Sequence, residues 1–141
     1  MDQIELQIEQ MAVTAKAASQ RMSRATSLQK EAALLAASAV LKEQCGAILA
    51  ANAADMAAAE KAGLSAAMLD RLRIDEARLS GIAAAVADVA TLADPVGEII
   101  DNRNRPNGLN MQRVRVPIGV LGIIYESRPN VTADAAALGL R

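Results

Sequence analysis

Few residues of this chain have side chains that could do chemistry, and their types already exclude several mechanisms. Cys45 is the only thiol and histidine is absent. No Ser-His or Cys-His nucleophile pair, and no histidine metal ligand, can therefore be assembled from these residues. Cys45 falls in phase with Leu34, Leu41 and Ile48 on one helical face, so it reads as a core residue. The string Ser127-Arg128-Pro129-Asn130 is different: it is a polar loop between a continuous apolar run at 120–125 and an alanine-rich stretch at 131–141. By position alone, Asn130 or Thr132 could cap the helix that follows, and Arg128 is either a ligand contact or a solvated loop charge. Gly119 and Gly122 flank or interrupt the apolar run, which by itself signals only tight turning. Asp70-Arg71 and the arginines at 103, 105, 113 and 115 read as surface charges, with Arg113 and Arg115 on one strand face.

The elements that must position these residues follow from periodicity. Ile4, Ile8, Met11, Ala15, Ala18 and Met22 lie on one helical stripe, with Asp2 as its cap. Thr26 and Gln29 have capping-box spacing and open a second helix expected to end near Asn52. Asn52 then caps a short helix that Gly63 closes, and Ser65 starts another through Leu69. Asp75 caps a further helix carrying Leu79, Ile82, Val86 and Val89, which Asp94-Pro95 ends. Residues 97–103 and 109–116 read as two strands joined by a turn at Asn107-Gly108. The alternation in the second strand slips between Met111 and Val114, which predicts a bulge or twist. The apolar run at 120–125 has the pattern of a strand buried on both faces, though no second such strand is present to pair with it.

Composition bounds the partners. The net charge is -1 with both signs interspersed, so there is no broad field for nucleic acid or an anionic membrane. No apolar run reaches membrane-spanning length, the acidic start fits no targeting peptide, and the lone cysteine suits a reducing cytoplasm. Aromatic residues are only 1% of the chain, so alanine and other small side chains must make the core, which favours closely packed helices.

Three blocks carry a resemblance to a known family: ANAADMAAAEKAGLSAAMLDRL at 51–72, LADPVGE at 92–98 with RPNGL at 105–109, and RVPIGVLGIIYESRPNVTADAAALGLR at 115–141. Together they resemble γ-glutamyl phosphate reductases of the aldehyde dehydrogenase superfamily, and YESRPNVTADA at 125–135 is the most particular of the motifs. One departure stands at Gly139, where many relatives carry a cysteine that is not the nucleophile.

The resemblance implies an α/β, aldehyde-dehydrogenase-like fold in truncated form. Residues 1–95 would be the helical front of the cofactor-binding domain and 96–117 a hairpin of the bridging or oligomerisation element. Residues 118–141 would be the first strand, loop and helix of a Rossmann-like NADP-binding domain. It implies a cytoplasmic enzyme of proline biosynthesis, homo-oligomeric at full length, that reduces L-glutamyl 5-phosphate to L-glutamate 5-semialdehyde with NADPH and releases phosphate. In that chemistry a cysteine thiolate forms a thioester, and hydride transfer then gives a thiohemiacetal. The family's nucleophile lies beyond Arg141, so this stretch alone is expected to be inactive. Its contribution would be the loop beside the nicotinamide ribose: Tyr125, Glu126 and Ser127 at the cofactor, and Asn130 as oxyanion donor. A gapless alignment on Gly119 and Gly122 instead puts Arg128 where the superfamily has its asparagine, and Arg128 could hold the substrate's phosphate or carboxylate. The alternative is a non-catalytic helical oligomerisation or interaction module derived from such a reductase.

Overall fold

The computed structural model describes residues 2–126 and 128–141. In chain order its elements are α1 (Gln3–Met22), α2 (Ser27–Glu43), α3 (Cys45–Lys61), α4 (Ala66–Leu72), α5 (Glu76–Thr91), β1 (Ile99–Asn104), β2 (Asn110–Val114) and α6 (Asn130–Leu140). They fall into two compact units, Met1–Ala25 with Ala93–Leu121, and Thr26–Leu92 with Gly122–Arg141. The helix-rich architecture with one antiparallel strand pair agrees with the fold class expected from sequence.

In the second unit, the helices start where side chains can satisfy orphan amides. Thr26 and Gln29 form a reciprocal capping box, Ser65 accepts from the Met68 amide, and Asp75 Oδ1 accepts from Arg78 N at 2.7 Å. α2 packs on α5, and α6 covers part of both. Leu34 of α2, Val86 and Ala90 of α5 and Ala137 of α6 are buried together at the centre. Ala83 is fully buried, and the buried Ser38 hydroxyl donates to its carbonyl at 2.7 Å. Only small side chains at this crossing let one helix reach the other's backbone. Arg141 ties the far end of α6 down: its guanidinium donates to Leu92 O, at 2.7 Å from Nε, and to Ser27 O at 3.3 Å. Buried Lys30 reaches Arg141 O at 3.4 Å.

The second helix departs from the sequence expectation. It stops at Glu43, the chain bends by 67°, and α3 then runs straight through Asn52. Gly46 just after the break has poor helix propensity, which makes this a cheap place to bend. Asn52 is no cap: it is buried, and its amide donates to Leu72 O at 2.8 Å while its carbonyl accepts from Ile74 N at 2.7 Å. Tertiary partners outweigh its capping preference, and α3 thereby clamps the connection between α4 and α5. Gly63, at φ 75°, closes α3 in the left-handed conformation as expected.

The start of α6 also differs from expectation. Pro129 occupies the cap position without a side-chain cap, and Asn130 and Thr132 are already helical. Both side chains are engaged elsewhere: Asn130 Nδ2 donates to Asp134 Oδ2 at 3.0 Å, and the Thr132 hydroxyl bonds that of Tyr125.

In the first unit, α1 carries the expected capping box, with Ile4 N to Asp2 Oδ1 at 2.8 Å and Asp2 N to Glu5 Oε2 at 2.9 Å. No described residue of α1 is buried, so its apolar stripe forms without covering a core. β1 and β2 pair antiparallel through a turn in which Gly108 adopts φ 85° and donates to Arg105 O at 2.9 Å. The slip in alternation corresponds to a bulge, but the extra residue is Ile100 of β1 rather than one in β2.

The run at 120–125 is a correction: residues 115–126 contain neither helix nor strand, and Ile124 is 102% exposed. A doubly buried strand exists only between hydrogen-bonding neighbours, and the only ladder among the described residues is β1–β2. Its apolar pattern has nothing here to pair with.

Two substitutions check this packing by urea unfolding. Leu34→Ala should cost about 2–5 kcal/mol, as a truncated core leucine with a residual cavity does. Asn52→Ala should cost about 1–3 kcal/mol, because Leu72 O and Ile74 N lose their partner.

Candidate functional site

The clamped connection between α4 and α5 and the start of α6 both line a cavity of about 440 Å³. The α4–α5 wall is built by geometry around Arg78. Its guanidinium donates to the backbone carbonyls of Asp70 and, at 2.9 Å, of Arg73, and it pairs with Asp70 Oδ1 at 2.8 Å. These two carbonyls belong to the C-terminal end of α4, where no intrahelical donor remains, so Arg78 serves as a cap from outside. The ion pair is half open to solvent and contributes little by itself, but the bonds to two backbone carbonyls hold the turn in one shape. Asn52 holds the same turn from the opposite side.

The wall at the start of α6 is Arg128, Pro129, Asn130 and Asp134. Pro129, at φ -63°, directs the chain into α6, and the Asn130–Asp134 bond lies along the first turn of that helix. An asparagine amide has two N–H donors, so Asn130 keeps one for a ligand. In the same lining Ile74, Gly81, Ile82 and Ala85 present an apolar surface.

Four arginines and two aspartates line the cavity, which leaves an excess of two positive charges. Arg78 is committed to Asp70. Among the described residues, the side chains of Arg71, Arg73 and Arg128 make no hydrogen bond or ion pair. The arrangement can therefore hold an anionic group while a short aliphatic portion lies against the isoleucines.

Of the residues expected from sequence, Arg128 and Asn130 do come together at this cavity. Tyr125 and Glu126 do not line it; Tyr125 is turned to Thr132 and Glu126 is exposed. Ser127 lies outside the described residues. Cys45, half-buried at the start of α3, is not among the lining residues. Asp70 and Arg71, expected as surface charges, are exposed and also line the cavity, whereas Arg73, Arg78 and Asp134 were not singled out from sequence. The available signal was the dense string Asp70-Arg71-Leu72-Arg73-Ile74-Asp75, four charges within six residues at a helix junction. Nothing in its spacing says that it shares a cavity with residue 128.

Comparison with known proteins gives the chain its relatives. No family model matches it. A γ-glutamyl phosphate reductase of Novosphingobium aromaticivorans is 58% identical over 134 residues, covering 95% of this chain and 32% of the relative. One of Sphingopyxis alaskensis is 59% identical over 133 residues, covering 94% and 31%. The crystal structure of the γ-glutamyl phosphate reductase of Thermotoga maritima superposes with a TM-score of 0.89 at 40% identity, covering 92% of this chain and 31% of that one. The chain thus spans about a third of the length of the curated relatives it matches. Over that third the chain is similar to γ-glutamyl phosphate reductases in both sequence and fold.

Proposed function

We propose that this chain is the substrate-facing N-terminal part of an enzyme that reduces L-glutamyl 5-phosphate to L-glutamate 5-semialdehyde with NADPH, releasing phosphate, in cytoplasmic proline biosynthesis. The observation that carries the reading is the convergence of Arg128 and Asn130 on one positively charged cavity with an apolar lining. Arg128 binds an anionic group of the substrate through its planar fork of donors, and the free N–H of Asn130 is aimed at the oxygen that gains charge when a nucleophile attacks. The domain roles follow: 1–95 as the helical front of the cofactor-binding domain, 96–117 as the bridging hairpin, and 118–141 as the opening of the NADP-binding domain. The working enzyme is a homo-oligomer in this reading.

The described residues do not by themselves fit a dinucleotide. Such cofactors bind at the carboxyl ends of parallel strands, and the only strand pair here is antiparallel. Tyr125, Glu126 and Ser127 are proposed cofactor neighbours through the family resemblance. Nor does this stretch offer a nucleophile, since Cys45 is outside the cavity and no histidine is present to activate it.

One observation favours the second reading, a non-catalytic interaction module. Ile124 is 102% exposed, an apolar side chain open to a partner. The two readings separate in an assay of the complete enzyme for phosphate-dependent oxidation of glutamate semialdehyde, followed by NADPH formation. Turnover is expected, and Arg128→Gln should lower kcat/KM by about 10- to 100-fold, as loss of a charge-assisted bond does. No turnover in the complete protein would leave the module reading standing.

A further inference from the structure

The arginines outside the loop carry the reading of the cavity further. Arg71 lies in the last turn of α4, and Arg73 is the residue that ends that helix. Both line the same cavity as Arg128, and neither side chain has a partner among the described residues. Their backbone is the best-held part of that lining. Asn52 fixes Leu72 and Ile74 on either side of Arg73, and Arg78 binds the carbonyls of Asp70 and Arg73. The buried asparagine and Arg78 thus fix the backbone from which these two exposed side chains reach the cavity.

We propose that Arg71 and Arg73 act with Arg128 to bind a doubly charged oxyanion, the phosphate end of an acyl phosphate, in this cavity. This rests on the reading of Arg128 as a substrate-binding residue and extends it to two further arginines of the cavity lining. The charge excess of the lining matches a dianion, and guanidinium forks can each donate two parallel bonds to phosphate oxygens. Arg78 is not part of the receptor because Asp70 already neutralises it. Asp134, the opposing charge of the lining, is drawn along α6 by the Asn130 amide.

The test uses a complete reductase carrying this stretch, with Arg71→Gln, Arg73→Gln, the double variant and Arg71→Lys. In the phosphate-consuming direction, the double variant should raise KM for inorganic phosphate about 10-fold or more, while KM for the semialdehyde moves far less. Arg71→Lys should recover part of the loss. Calorimetric titration of the same proteins with inorganic phosphate, and separately with glutarate, reads binding without requiring turnover. Weakened phosphate binding with glutarate binding unaltered supports the assignment; weakened glutarate binding alone overturns it in favour of a carboxylate site. An unmoved phosphate KM in a folded, active double variant overturns the proposal and leaves the reductase reading intact. Arginine-dependent phosphate binding in a protein without reductase turnover sinks the reductase reading and leaves the anion site standing.

Discussion

The physical constraint from which the rest of the helical unit follows is the close crossing of α2 and α5. With almost no aromatic side chains available, the core cannot be filled by bulk, so the helices must approach until small residues touch. The Ser38 hydroxyl reaching the Ala83 carbonyl marks how near they come, and no buried hydroxyl among the described residues is left unsatisfied. Leu34, Val86 and Ala90 then form an apolar seam on which Ala137 of α6 is seated.

The cavity is a consequence of that seam. α5 carries Arg78, Gly81, Ile82 and Ala85 on the part of its surface that the cavity uses, and α6 brings Asn130 and Asp134 to the same cavity. Small residues at Gly81 and Ala85 are what leave the space open. The walls are then held by polar bonds outside the core: Asn52 and Arg78 on the α4–α5 side, and Arg141 at the far end of α6. Apolar packing thus sets where the helices lie, and a few buried or backbone-directed polar groups set what the cavity presents. The hairpin unit is organised differently, by its own ladder and by an asparagine cluster in which Asn110 Nδ2 donates to Asn102 and Asn104 at 2.8 Å.

Local chemistry was legible in the sequence where it is self-contained. The capping boxes at Asp2 and Thr26, the caps at Ser65 and Asp75, the left-handed Gly63 and the Asn107-Gly108 turn each depend on residues within a few positions of one another. Features that depend on distant partners were not legible. Asn52 reads as a cap until the α4–α5 turn supplies better partners twenty residues away. Residues 120–125 have the composition of an interior strand, but composition cannot supply a neighbour. Arg128 and Asn130 were found through a motif. Arg71 and Arg73 carry no spacing signal, and only the fold brings them to the same cavity as residue 128.

The central claim is that α2, α5 and α6 form one cooperative body, with the cavity walls as its dependents. Native-state hydrogen exchange of the amides measures this directly. The account predicts that amides in the middle of α2, α5 and α6 share the highest protection and lose it together as denaturant is added, whereas those of α1 exchange sooner. Exchange of α6 through its own low-energy opening, with α2 and α5 still protected, would contradict it.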